Sequence, residues 1–275
     1  MDRPSVDKPS MDKPGVDEPV LVTGGTGTLG RAVVARLLAD GVPVRVMSRR
    51  ARRAGDDAAY EWAVADLAKG TGLDAALAGV RTVVHCATNA RNDVVATRRL
   101  VEAARRAGSP HLVYISIVGI DVVPLPYYRS KREAERTIQA SGLPWTVLRT
   151  TQFHDLVATM TTVQRRLPVV LTLSGTRAQP VEVTEVADRL VELVRGAPAG
   201  RVPDMAGPEV RDARDLAAAT LRAMGLRRRV VPLRLPGRIA RALRAGGNLA
   251  PDRAVGKVPF EQYLAARTRP AAGWR

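Results

Sequence analysis

From residue 19 onward the apolar positions follow two alternating rhythms. Compact runs rich in Val, Ile and Leu recur at 19–22, 42–48, 61–67, 82–88, 111–119 and 143–149, the pattern of strands buried on both faces. Between them, apolar residues return every three or four positions. Leu29, Val33, Val34, Leu37 and Leu38, for example, share one helical face. Helices are predicted over 31–38, 94–107 and 127–135. Gly41 and Gly108 close the first two, while Pro124 and Pro126 precede the third and Ser141-Gly142 follows it. Such strand–helix alternation calls for right-handed crossovers and a doubly wound parallel α/β sheet.

Past Thr150 the rhythm loosens. Strands are predicted at 169–173, 181–183 and 230–235, with a last edge strand at 201–207. Helices are predicted at 184–195, with Thr184 as N-cap, and at 212–224, 238–244 and 260–266. The chain thus divides into a tail (1–18), a core (19–150) and a remainder (151–275). In the remainder, about 181–207 completes the core and the rest forms a small C-terminal lobe over the strand ends, where a substrate cleft belongs. The tail repeats Asp2-Arg3-Pro4, Asp7-Lys8-Pro9, Asp12-Lys13-Pro14 and Asp17-Glu18-Pro19. Its prolines remove amide donors and it offers little to bury, so it is expected to be disordered. Met11 within it leaves the translation start open between Met1 and Met11.

Composition narrows the class. At 275 residues the chain can hold one large α/β domain with an appended lobe. The single cysteine, Cys86, excludes an internal disulfide framework and suits a reducing cytoplasm. No apolar run approaches the roughly 20 residues that cross a bilayer, so no membrane partner is expected. No metal-ligating cluster stands out, and the oligomeric state is open. The net charge of +16 admits two readings: phosphate neutralisation on nucleic acid, or arginines spread over solvated helix faces such as Arg98-Arg99 and Arg105-Arg106. No nucleic-acid-binding motif accompanies the arginines, which favours the second and predicts no nucleic-acid partner.

The first strand runs into Thr23-Gly24-Gly25-Thr26-Gly27-Thr28-Leu29-Gly30 and leaves as a helix. Strand, glycine turn and helix in that order form a phosphate cradle. Gly24 permits the turn, Gly27 lets backbone approach a pyrophosphate, Gly30 lets helix and strand pack, and the helix-start amides face the anion. This is a Rossmann-type dinucleotide-binding fold. The second strand ends in Ser48-Arg49-Arg50, where an NAD-specific site usually carries an acid. Arg49, supported by Arg50, would instead accept a 2′-phosphate, so NADP(H) is expected over NAD(H). His85 and Cys86, in an apolar strand without a local acid–base partner, read as core residues.

Tyr127 and Lys131 lie four apart on a helix and share a face. An ammonium beside a phenol lowers the phenol's pKa and fits it for proton transfer at a carbonyl or alcohol oxygen. Ser116, at the end of the preceding strand, can hydrogen-bond the same oxygen. The glycine turn, Ser116 and Tyr127-Tyr128-Arg129-Ser130-Lys131 resemble the motifs of extended and atypical short-chain dehydrogenase/reductases. Tyr114-Ile115-Ser116-Ile117-Val118-Gly119 and the stretch from Ser141 to Arg149 resemble their NmrA-like branch more closely.

The resemblance implies that Asp66-Leu67 flank the adenine, that Ala87-Thr88 flank the nicotinamide ribose and that Lys131 also holds ribose. It implies an NAD(P)H-dependent oxidoreductase acting on a small carbonyl, quinone or alcohol. It also admits a non-catalytic dinucleotide-sensing regulator, since many NmrA-like members lack the tyrosine, and a nucleotide-sugar epimerase, which uses the same machinery. Thr150-Thr151 stand where extended members commonly carry Pro after the strand-end arginine. Gln152, Phe153 and His154, just beyond, are candidates for the substrate-pocket wall.

Overall fold

A computed structural model describes residues 18–52, 55, 58–88 and 92–268. All but one residue of the predicted tail lie outside these. The first half of the chain builds β1 (Val20–Thr23), α1 (Thr28–Ala39), β2 (Val44–Ser48), β3 (Glu61–Val64), α2 (Leu73–Leu77), β4 (Thr82–His85), α3 (Asp93–Arg106), β5 (His111–Ile117), α4 (Pro126–Gln139) and β6 (Trp145–Thr150). The second half adds α5 (His154–Thr162), β7 (Val169–Leu173), β8 (Arg177–Ala178), α6 (Val183–Arg195), β9 (Gly200–Arg201), β10 (Arg211–Asp212), α7 (Ala213–Ala223), β11 (Arg229–Leu233), α8 (Arg238–Arg244) and α9 (Phe260–Thr268).

Seven strands form one parallel sheet in the order β3-β2-β1-β4-β5-β6-β9. Its strands are apolar on both sides because helices cover both. Alternate residues of β1 show this: Val20 and Val22 pack toward α1 and α6, whereas Leu21 packs with Leu73, Leu100 and Ile138 from α2, α3 and α4. Strand order reverses between β1 and β4, which opens a crevice at their C-terminal ends.

Two expectations past Thr150 need correction. Residues 181–183 do not form a strand. Val181 makes one isolated bridge to Phe153 and Val183 already belongs to α6. The cap is therefore Glu182, whose side chain accepts from the Thr184 amide, and not Thr184. The predicted edge strand 201–207 shortens to the two residues of β9. Pro203 has no amide to continue the ladder, which resumes only as a bridge between Thr150 and Met205. Of the later elements, α5, α9, β7 and β11 pack around α7. Its Leu216 and Ala219 pack with α5 and α9, and its Ala217 and Leu221 pack with Val170 of β7 and Val230 of β11.

Candidate active site

The glycine turn is built by close backbone approach. Gly24 has φ +68, and a Cβ there would lie 2.7 Å from the Ala87 backbone. A Cβ on Gly30 would stand 2.1 Å from the Gly24 carbonyl oxygen, so this position admits hydrogen alone. Gly27 caps α1 without a side-chain acceptor, and the first turn of α1 contains no acid. Its leading amides are thus left for an external anion. Thr23 is fully buried. Its Oγ1 accepts from the Ala87 amide at 3.2 Å and shares a hydrogen bond with His85 Nδ1 at 2.7 Å, tying the turn to β4. Leu29 is buried beneath the turn, and Thr28 is exposed on the helix.

A cleft of about 750 Å³ opens over the turn. Gly24, Gly25, Thr26 and Gly27 form its floor, and Ser48, Arg49 and Arg50 line it at the end of β2 with both arginines exposed. Asp66 and Leu67 form the wall beyond β3, where the Asp66 carboxylate accepts from the Ala68 and Lys69 amides and fixes a tight turn. Tyr60 and Trp62 complete that end, stacked with ring centroids 6.2 Å apart, and Trp62 Nε1 donates to the Arg50 carbonyl. These aromatics were not singled out from sequence, where they sit in a weakly patterned segment.

At the other end lie Ala87, Thr88 and Asp93. Tyr127 donates to Thr88 Oγ1 at 2.8 Å, because the single Thr88 hydroxyl proton is directed to Asp93 Oδ2 at 2.9 Å. Asp93 in turn faces Lys131 Nζ at 3.7 Å, and Lys131 donates to the Tyr114 hydroxyl at 3.1 Å. Asp93 and Lys131 are both buried. Tyr114 and Ser116 alternate onto the same face of β5, so Ser116 stands one step nearer the strand end. The Ser116 hydroxyl is buried with no hydrogen-bond partner among the described residues, which leaves an orphaned donor one alternation along β5 from Tyr114. Asp93 was missed from sequence, since it reads there as an ordinary acid in a helix first turn.

The electrostatics differ from the expectation at one point. Lys131 does not lower the Tyr127 pKa. Burial raises it, the Thr88 hydrogen bond opposes, and Asp93 raises it again. The reason is that the ammonium is matched by Asp93 and turned to Tyr114, its Nζ 5.9 Å from the Tyr127 ring centroid. Lys131 itself is lowered by burial, with Asp93 opposing. His85 is held to about 3 by burial and then by the Lys131 charge, and is a neutral core histidine stacked on Tyr114. Cys86 is pushed by burial up to about 12, which makes its thiol a poor nucleophile.

Gln152, Phe153 and His154 are not among the residues that line this cleft. Gln152 donates to the Asn248 carbonyl and accepts from the Gln179 amide. Phe153 packs on the core, and His154 is buried between Phe260 and Tyr263 with Nε2 on the Val258 carbonyl.

A family profile described as NAD(P)H-binding matches residues 24–196. The chain belongs to the NAD(P)H-binding family. Among its relatives, a (4-alkanoyl-5-oxo-2,5-dihydrofuran-3-yl)methyl phosphate reductase from Streptomyces griseus is 33% identical over 217 residues, 75% of this chain and 74% of that one. An NAD(P)H azoreductase from Xenophilus azovorans is 27% identical over 221 residues, 78% of this chain and 77% of that one. An NADPH-dependent quinone oxidoreductase from Escherichia coli, solved with NADPH, superposes with a TM-score of 0.76 at 18% identity, covering 91% of this chain and 100% of that one. That likeness shows the fold. The chain is thus an NAD(P)H-binding protein with a Rossmann-like fold and with reductases among its relatives. Among the described residues, no helix is long and apolar enough to cross a membrane and no group of side chains could hold a metal ion.

Proposed function

We propose that this NAD(P)H-binding protein is an NADPH-dependent reductase of a small carbonyl or quinone, with Tyr127 as the proton donor. The observation that carries the proposal is the row Tyr127–Thr88–Asp93–Lys131 at one end of the cleft, together with the orphaned Ser116 hydroxyl on the face of β5 that carries Tyr114. The cleft suits a dinucleotide, since its floor is the glycine turn, whose close backbone approach leaves no room for a Cβ on Gly24 or Gly30. The α1 amides and Gly25 to Gly27 would hold the pyrophosphate, Arg49 and Arg50 a 2′-phosphate, Asp66 and Leu67 the adenine, and Ala87, Thr88 and Lys131 the nicotinamide ribose. When bound there, NADPH supplies the hydride.

The residues of the chain supply the proton and the orientation. Ser116 would donate to the substrate oxygen and hold it toward Tyr127. Tyr127 turns its hydroxyl from Thr88 to that oxygen and gives up its proton as negative charge develops there. The phenolate left behind is met by the Thr88 hydroxyl, released from Asp93. Because burial raises the Tyr127 pKa, the group is protonated at neutral pH. That favours the acid role, and hence reduction over alcohol oxidation. The rate of reduction is therefore expected to stay level across roughly pH 6–9 and to fall only at more alkaline pH, as Tyr127 loses its proton. A pH–rate profile checks this, and a fall centred near neutrality would contradict it.

The preference for NADPH is tested by titrating both cofactors. Arg49→Ala is expected to weaken NADPH by about 1.5–3 kcal/mol, the loss of one charge-assisted phosphate contact, and to leave NADH affinity unchanged. Equal affinities of the unaltered protein for NADPH and NADH would refute the preference.

A further inference from the structure

Away from the cleft, two stretches differ sharply in charge from the rest of the chain. Residues 156–181 and 216–251 contain eleven arginines and no Asp, Glu or Lys. None of these arginines forms an ion pair among the described residues, whereas arginines elsewhere pair repeatedly with acids.

The two stretches fold onto each other. β7 and β11 pair in parallel, Val170 beside Val230 and Leu173 beside Leu233. Val170 and Val230 pack toward α7, so alternation turns Leu171 and Leu233 outward, where they are exposed. α5 covers another part of α7 through Val157 and Ala158 and turns its opposite side outward. On that side Leu156, Met160 and Val163, continued by Leu167 in the following turn, make a stripe at helical spacing. These four side chains are 47%, 57%, 69% and 47% exposed. The Gln164 side chain joins stripe to ribbon, accepting from the Leu171 amide at 2.9 Å and donating to the Leu171 carbonyl at 3.2 Å. With Leu235, this face carries seven of the eleven large apolar side chains exposed among the described residues. Arg165, Arg166, Arg228, Arg229 and Arg234 stand exposed in the same segments.

We propose that this face docks peripherally on an anionic phospholipid bilayer. Aliphatic side chains enter the headgroup–acyl boundary while guanidinium groups meet lipid phosphates, a pairing that needs no membrane-spanning helix. The expectation of no membrane partner rested on the lack of a spanning segment and does not bear on surface docking. Two other occupants fit the face less well. A single-stranded nucleic acid stacks on aromatic rings, and neither stretch contains Phe, Trp or Tyr. A second copy would set two uncompensated arginine clusters against each other.

The test is flotation of the full-length protein with phosphatidylcholine vesicles, with and without phosphatidylglycerol, alongside NADPH titration as a check of the fold. Binding is expected only to the phosphatidylglycerol vesicles. The pair Met160→Glu, Val163→Glu and, separately, the pair Arg228→Gln, Arg229→Gln are each expected to weaken it about tenfold or more, with NADPH affinity kept. Should the glutamate pair lose NADPH binding through misfolding, the exposed arginine pair decides. Absence of vesicle binding, equal binding to both vesicle types, or binding untouched by the arginine pair would overturn the proposal. So would tighter binding to random duplex DNA than to vesicles, or a glutamate pair that converts a dimer to a monomer in light scattering.

Discussion

Replacing Tyr127 by Phe is expected to cut NADPH-dependent turnover by about 10²–10⁴-fold, the usual worth of a positioned proton donor. The substitution removes one oxygen and keeps the ring that packs with Ile120, Val123 and Tyr128. It leaves Thr88 hydrogen-bonded to Asp93 and Lys131 bonded to Tyr114. NADPH affinity should therefore hold while the rate collapses, so the loss appears in kcat. Steady-state kinetics with a carbonyl or quinone substrate, paired with cofactor titration, checks both halves. Retention of full activity by Tyr127→Phe would remove Tyr127 from the mechanism.

Glu135→Ala is expected to lower stability by about 3 kcal/mol. Glu135 lies in α4, the helix that carries Tyr127 and Lys131, and its carboxylate receives Arg149 of β6 through two bonds at 2.8 and 2.6 Å. Both partners are buried. Truncating the acid leaves the guanidinium buried with, among the described residues, Asp121 as the remaining acid, at 2.5 Å on a carboxylate that is about half exposed. Asp121→Ala should cost roughly 1 kcal/mol or less, because its Arg149 contact is partly solvated. Burial alone would raise the Asp121 pKa, but Arg149 prevails and holds it below the ordinary carboxylate value. Its contribution is thus present at neutral pH and is lost as pH falls through the folded-state value. Denaturant unfolding of the two variants checks the contrast, and equal losses would show that burial of the pair does not govern its worth.

The sheet was legible in the sequence because its central strands are compact apolar runs, bounded by proline and glycine in β1 and β5. The glycine turn was legible for a related reason, since Gly24 and Gly30 are fixed by local backbone crowding. The row behind Tyr127 was not. Asp93 meets Lys131 only after α3 and α4 pack side by side, and nothing in the sequence near either residue announces the pair. The same long-range pairing turned the Lys131 charge away from Tyr127 and reversed the expected direction of its pKa. α5 escaped notice because its C-terminal half, Thr159-Met160-Thr161-Thr162, is rich in β-branched threonine and its exposed side is apolar. Both features run against the usual signature of a surface helix.

The central claim is that the cleft is a reducing site and not only a sensor of dinucleotide. The most direct measurement is NADPH consumption by the wild-type protein against a panel of aldehydes, ketones and quinones, read by NADPH absorbance with the reduced product quantified, alongside direct titration of NADPH. The account predicts saturable NADPH binding and stoichiometric reduction of at least one class in the panel. Tight NADPH binding with no reduction of any of them would contradict it and make dinucleotide sensing the better description.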